Sequence, residues 1–295
     1  MGRSRDVDAT FFVNVISAGL LTGLVYGLMA LGLSVIFGVM RVVNFAHGDM
    51  MVVAMYAAFL LFTKLGIEPV PALPLVAGGL FVVGYLLQRF LINHFLGVTE
   101  HIQFLLLLSV AMIITNVVLM VFGPDARNIQ LDASFESYNL GWLVLDKVRV
   151  IAAFTAGGVA ALLWAFFRYT TTGTAIRACA DNPVGARVVG LDVEKLYAIT
   201  FGIGTACVGA AGCLLLLLVD VHPHLSSDYT LLGFIIVILG GLGSLGGALL
   251  GGILVGLSEA LSGVLIAPSL KSMFSFGLLI LVLLLRPQGI LGKKP

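Results

Sequence analysis

Residues 229–262 read YTLLGFIIVILGGLGSLGGALLGGILVGLSEALS, and this stretch decides the fold. It carries a single acidic or basic side chain, Glu259, and it is too long for one ordinary crossing, because roughly 20 apolar residues span a hydrocarbon core of about 30 Å. Its middle, Gly240-Gly241-Leu242-Gly243-Ser244-Leu245-Gly246-Gly247, is poor helix, since each glycine costs about 1 kcal/mol relative to alanine. The stretch therefore predicts a broken helix or re-entrant pair that turns at Gly240, Gly241, Gly243, Gly246 and Gly247. Non-helical backbone at membrane depth is tolerated only where it is buried in protein or lines a cavity.

The whole chain matches this reading. Of 295 residues, 60% are hydrophobic and 11% charged, against about half and about a quarter in a soluble domain. Apolar blocks fall near 11–38, 49–63, 70–92, 103–122, 148–167, 196–219, 229–262 and 272–285. The expected fold is an all-α polytopic membrane protein with about eight hydrophobic helical segments and interruptions near 39–49 and 240–247. The first block would make a helix of about 42 Å, so it must tilt, kink or protrude. It also continues well past the length of a cleavable leader, which predicts a retained helix.

Charge placement orients the chain. Arg168, Arg177, Arg187 and Lys195 in 168–195, with Arg286, Lys293 and Lys294 in the tail, mark both segments as cytoplasmic by the positive-inside rule. The 123–147 loop, with Asp125, Asp132, Glu136 and Asp146 against Arg127 and Lys147, reads as external, as does 220–228 with Asp220 and Asp228. Arg3 and Arg5 are offset by Asp6 and Asp8, so the N-terminal side stays open. An even number of crossings must separate Lys195 from the tail, and three blocks lie between them. The count closes if 229–262 is a hairpin that returns outside.

Several function classes drop out. Sixteen Lys and Arg against 15 Asp and Glu give net charge +1 and no basic surface for nucleic acid. Cys179, Cys207 and Cys213 lack C-x-x-C spacing, so neither a disulfide framework nor a zinc site is expected. Nucleophile-elbow, zinc-protease and phosphate-loop motifs are missing, so the chain is not an enzyme and not its own ATPase.

The polar residues inside apolar blocks are the candidate site. Arg41, Asn44, His47 and Asp49 interrupt the first half of the chain as the glycines interrupt the second, and paired interruptions are a mark of transporters. They read either as a pathway lining or gate, or as an interfacial loop at headgroup depth. Glu259 is a cation or amine contact on one reading and an end-of-helix carboxylate on the other. The pairs Gly247/Gly251 and Gly252/Gly256 have the small-xxx-small spacing of close helix contacts. In the inside loop 170–190, Ala175 to Asp181 is helix-prone and Asn182-Pro183 stops it. His222-Pro223-His224, with Asp220 and Asp228, reads as an exposed turn rather than a metal site, since further ligand spacing is missing.

Val43-Asn44-Phe45-Ala46-His47-Gly48 resembles the permeases of branched-chain amino acid ABC importers, specifically the H-type subunit. The resemblance extends through 27–38, 173–190, 239–252 and the tail Arg286-Pro287-Gln288-Gly289-Ile290-Leu291-Gly292. It departs at Asp49, where a glutamate is common, and in the less basic 88–102 loop. It implies one transmembrane permease domain over 1–295, in a bacterial cytoplasmic (inner) membrane with the C-terminus inside. The implied partners are a second, M-type permease, two cytoplasmic ATPases and an external substrate-binding protein. No cofactor is implied on this chain, with ATP and magnesium on the ATPases. Arg177, Ala178, Ala180, Asn182, Ala186 and Gly190 would form the segment that couples to an ATPase. Asn44, His47, Asp49 and Glu259 would belong to the substrate pathway, and the cargo would be an aliphatic amino acid or a related small solute. The competing reading is a self-sufficient secondary transporter or channel. Ion coupling asks for several intramembrane carboxylates, and only Asp49 and Glu259 qualify.

Overall fold

Apolar blocks surrounded by lipid must satisfy every backbone N–H and C=O internally, and helices do so within one segment. The computed structural model describes residues 2–95, 100–131, 136–139, 141, 143–267 and 270–292, with side chains from Thr10 onward and Glu100 excepted. Asp132, Pro268, Lys293 and Lys294 lie outside the described residues, as do the side chains of Arg3, Arg5, Asp6 and Asp8. Helices α1 (Gly2–Met40), α2 (His47–Leu65), α3 (Pro69–Phe90), α4 (Glu100–Phe122) and α5 (Lys147–Tyr169) form the first half. The short α6 (Thr171–Asp181) and α7 (Pro183–Val188) follow, then α8 (Val193–Leu215), α9 (Leu225–Gly240), α10 (Leu245–Leu265) and α11 (Lys271–Leu285). A small antiparallel hairpin, β1 (Ser137–Asn139) and β2 (Val144–Asp146), occupies the 123–147 loop. Among the described residues, 7 helices are long and apolar enough to cross a membrane, and α9 and α11 are shorter apolar helices.

The long stretch 229–262 is two helices, and the turn between them is 241–244, narrower than expected: Gly240 ends α9, and Gly246 and Gly247 lie in the first turn of α10. Gly241 (φ 105°) and Gly243 (φ 78°) hold backbone conformations that L side chains rarely adopt. Ser244 then caps α10 by accepting the Gly247 N–H at 3.1 Å. The last carbonyls of α9 have no partner within their own helix. Backbone from the tail supplies it, Ile290 N–H donating to Leu239 O and Leu291 N–H to Gly240 O, both at 2.9 Å. The Pro-Gln-Gly-Ile-Leu-Gly tail is thus the cap of a distant helix.

Contacts fix which ends of the helices lie together. Gly38 near the end of α1 meets Gly243, and α6 packs on α1, so the end of α1, the α9–α10 turn, α6, α7 and the tail share one end of the bundle. At the other end Asn14 Oδ1 accepts the Val144 N–H at 2.9 Å and Arg127 bridges to Val221. This hairpin end also holds the start of α9. Helices α8, α9, α10 and α11 therefore run alternately between the two ends of the bundle, four lengths that return the tail to the end that holds α6, an even number as the charge placement asks.

The seam between α1 and α10 is built on glycine. Gly252 sits against Gly27 and Gly23, and Gly256 against Gly23 and Gly19. The α10 pair was legible as a packing motif. Its counterpart, glycine every fourth residue on α1, completes the close approach that van der Waals packing in lipid requires. Helices α8 and α1 are the most enclosed spans, while α4 is the most exposed.

Candidate functional site

The interruption after α1 places the site. Met40 ends the helix, Arg41 turns the chain with φ 56°, and residues 41–46 double back along α1. Asn44 supports the strap by accepting the Ala46 N–H on its Oδ1 at 3.1 Å. The strap ends where His47 Nε2 meets the Met29 carbonyl at 3.0 Å. Met29 lies eleven residues before Met40, about 16 Å at 1.5 Å per residue, and six extended residues reach about 20 Å. Helix α2 thus starts deep within the bundle, about three turns back from the end of α1, and runs toward the hairpin end, where Tyr56 stacks on Phe122 at 4.1 Å. Of the two readings for 39–49, the interfacial loop does not describe Asn44 and His47, both fully buried, or Asp49, 4% exposed. Arg41 alone is exposed.

A layer of polar side chains surrounds the start of α2. Thr115 of α4 donates to Asp49 Oδ1, and its hydroxyl lies 3.5 Å from that of Ser226 on α9. Gly48 N–H donates to Thr230 Oγ1 at 3.0 Å. On α10 the half-buried Glu259 accepts a hydrogen bond from Tyr26 Oη at 3.1 Å, and the Tyr26 ring packs edge-on against Tyr229 at 6.1 Å. Ser226, Tyr229 and Thr230 share one face of α9 by their i, i+3, i+4 spacing. That face links the Asp49 group to the Glu259 group. His47 and Asp49 of α2 and Glu259 of α10 therefore gather around α9, while the Asn44 side chain stays with its own strap, against Ala46 and Met50. The sequence reading did not single out Tyr26, Thr115, Ser226, Tyr229 or Thr230. Their signal was the spacing of polar residues on α9 at the start of an apolar block.

The inside loop forms a capped elbow. Thr170 Oγ1 accepts the Gly173 N–H and Asn182 Oδ1 accepts the Gly185 N–H, each at 2.9 Å, with Pro183 opening α7. Thr170 thus starts α6, and Asn182 with Pro183 ends α6 and starts α7. Arg177, Ala178 and Asn182 are exposed and Ala180 is half-buried. Ala186 instead faces inward against Cys179 and Val193, and Gly190 (φ 87°) turns the chain toward α8. Burial pushes the Cys179 thiol above its ordinary value. Val184, Val188 and Val189 point outward, 71–83% exposed, which the sequence reading did not foresee. In 123–147, Lys147 pairs with Glu136, Asp146 caps α5, and Arg127 donates to Phe122 O at 2.6 Å, leaving Asp125 exposed.

The family model described as branched-chain amino acid transport system / permease component matches residues 15–283. The chain belongs to that family. It is 30% identical to the high-affinity branched-chain amino acid transport system permease protein LivH of Escherichia coli K12, over 96% of each chain. It is 30% identical to the BraD permease protein of Pseudomonas aeruginosa, over 93% of this chain and 94% of BraD. The probable permease protein LivM of Methanocaldococcus jannaschii is 29% identical over 46% of this chain and 45% of its own. No solved structure matches the chain. As a member of this permease family the chain is a transport subunit and not an enzyme.

Proposed function

We propose that this permease chain forms one half of the membrane pathway of an ATP-driven importer for branched-chain amino acids. The observation that carries the reading is the elbow of α6 and α7. It is rigidly capped, packs on α1, α5 and α8, and leaves Val184, Val188 and Val189 uncovered beside Arg187, with Arg177 exposed on α6. Contiguous aliphatic surface of this kind marks a protein contact. The partner is a cytoplasmic ATPase, since the chain has no phosphate loop of its own, and two such ATPases would carry ATP and magnesium.

By the positive-inside rule the elbow end and the C-terminal tail are cytoplasmic, and the hairpin end is external. Exposed Asp125, Asp220 and Asp228 at the hairpin end form the side on which a substrate-binding protein docks. A second, M-type permease covers outward apolar faces such as Met112, Ile113, Met120 and Val121 of α4. The LivM relative supports that pairing.

In this mechanism ATP binding draws two elbows together, and each elbow moves α1 and α8 with it. The 241–244 turn and the 41–46 strap are the places where backbone bends. Beside the strap the layer of Asn44, His47, Asp49 and Glu259 works as the gate, its carboxylates exchanging partners with the hydroxyls of Thr115, Ser226 and Tyr26 as the solute passes. The layer offers an amino acid's ammonium group two carboxylates, Asp49 and Glu259, set among hydroxyl-bearing side chains.

The test is leucine uptake by proteoliposomes that hold the chain with its co-encoded subunits, supplied with ATP inside and binding protein outside. Arg177→Glu with Arg187→Glu should abolish both ATPase assembly and uptake. Intact assembly and uptake would end the coupling assignment, while uptake without ATP would favour the secondary transporter.

A further inference from the structure

The elbow end of the bundle contains a cavity of about 970 Å³, between the last turns of α1, α6, the 241–244 turn and the tail. Its size lies at the upper end of the roughly 300–1,000 Å³ typical of small-molecule sites. Three observations point to an occupant. Arg41, which lines the cavity, holds φ 56°, the sole non-glycine residue at positive φ among the described residues. This is the position after a helix where glycine is the usual choice, so retaining arginine there asks for a use of its side chain.

Ser34, also in the lining, is fully buried, and its hydroxyl has no hydrogen-bond partner. A serine within a helix ordinarily bonds back to the carbonyl four residues earlier, and Ser34 does not. Arg177 approaches from α6, its guanidinium bonded only to the Thr174 hydroxyl at 3.3 Å. Among the described residues neither Arg41 nor Arg177 has a carboxylate within ion-pair distance, although Asp181 lines the same cavity. Two unpaired guanidinium groups and an unpaired hydroxyl match a carboxylate, Asp181 matches an ammonium group, and Ile238 and Leu242 give an apolar wall.

We infer that this cavity binds the transported amino acid from the cytoplasmic side. The carboxylate sits on Arg41, Arg177 and Ser34, the ammonium group on Asp181, and the aliphatic side chain against Ile238 and Leu242. The inference rests on the branched-chain amino acid reading above. A solute held there braces α6 against the α9–α10 turn, so internal accumulation of the amino acid slows import.

The experiment uses inside-out vesicles carrying the complete transporter, with Leu242→Cys as a thiol probe in the cavity wall. Leu242 is 49% exposed, whereas Cys179, Cys207 and Cys213 are buried. With a dissociation constant of about 1 mM, leucine at about 10 mM should slow maleimide labelling roughly tenfold, by 1 + [L]/Kd. The des-amino acid 4-methylpentanoate and the des-carboxy amine 3-methylbutylamine should each protect less than leucine. Arg41→Gln should remove the protection and Arg41→Lys retain part of it. Ser34→Ala, which deletes one hydroxyl from a helix, should weaken it about fivefold.

Labelling unaffected by leucine, in a transporter that still imports leucine in right-side-out vesicles, would overturn the inference and leave the importer reading standing. Loss of labelling on enrichment with phosphatidylglycerol, without a leucine effect, would make the occupant a lipid phosphate and also overturn it. No leucine import from any co-encoded binding protein would instead bring down the functional reading.

Discussion

Replacing Thr230 by valine tests whether α2 truly begins inside the bundle. The first N–H groups of a helix have no partner within it, and at a water-facing start they bond to solvent. Here Gly48, the second residue of α2, is buried and donates to Thr230 Oγ1 at 3.0 Å. Gly48 cannot turn away to find another acceptor, because it is pressed so closely to α9 that an added Cβ would lie 2.8 Å from Thr230 N. Valine keeps the shape of threonine and removes the acceptor, leaving one buried donor unmatched at a cost of about 1–3 kcal/mol. About 2 kcal/mol corresponds to a fall in Tm of roughly 4 °C for a chain of this size. Thr230→Ser restores the acceptor and should recover most of it. The assay is thermal unfolding of the detergent-purified protein, followed by loss of the monodisperse peak. A valine variant that melts within about 1 °C of the parent, where a change of only half a kcal/mol or less is at stake, would refute the buried start of α2.

Two further outcomes follow from the packing and the topology. Gly256→Ala should destabilise by about 1–3 kcal/mol, because its Cβ would lie 2.5 Å from Gly23 Cα with only backbone to yield, whereas Gly158→Ala meets nothing within 4 Å and should be neutral in the same melt. Cysteines at Ser227 and Leu265, both exposed at the hairpin end, should label from the same side of the membrane. Ser227 is the better probe than Ser226, which is buried. Labelling from opposite sides would remove the α9–α10 hairpin.

Much of the architecture was legible because it depends on neighbours in the chain. Apolar runs become helices in lipid, the glycines at 241 and 243 take a left-handed turn that few other residues accept, and Asn182-Pro183 ends one helix and starts another. The resemblance carried by Asn44 to Gly48 and the tail pointed to the family that residues 15–283 match. The elbow was less legible. Ala186 belongs to the resemblance but packs inward, while Val184, Val188 and Val189 look like ordinary helix formers until α7 is seen with nothing on its outer side.

The sequence by itself determined the membrane, the helical blocks, the break within 229–262 and the family, since each rests on composition, local backbone preference or short motifs. Only the tertiary structure decided that the 41–46 strap climbs back into the bundle, that tail residues 290 and 291 cap α9, and that Tyr26 and Glu259 meet across 233 positions. Those contacts arise from a shared physical demand. A polar group held away from water is costly until it gains a partner, but the sequence does not say which of the other helices will bring it.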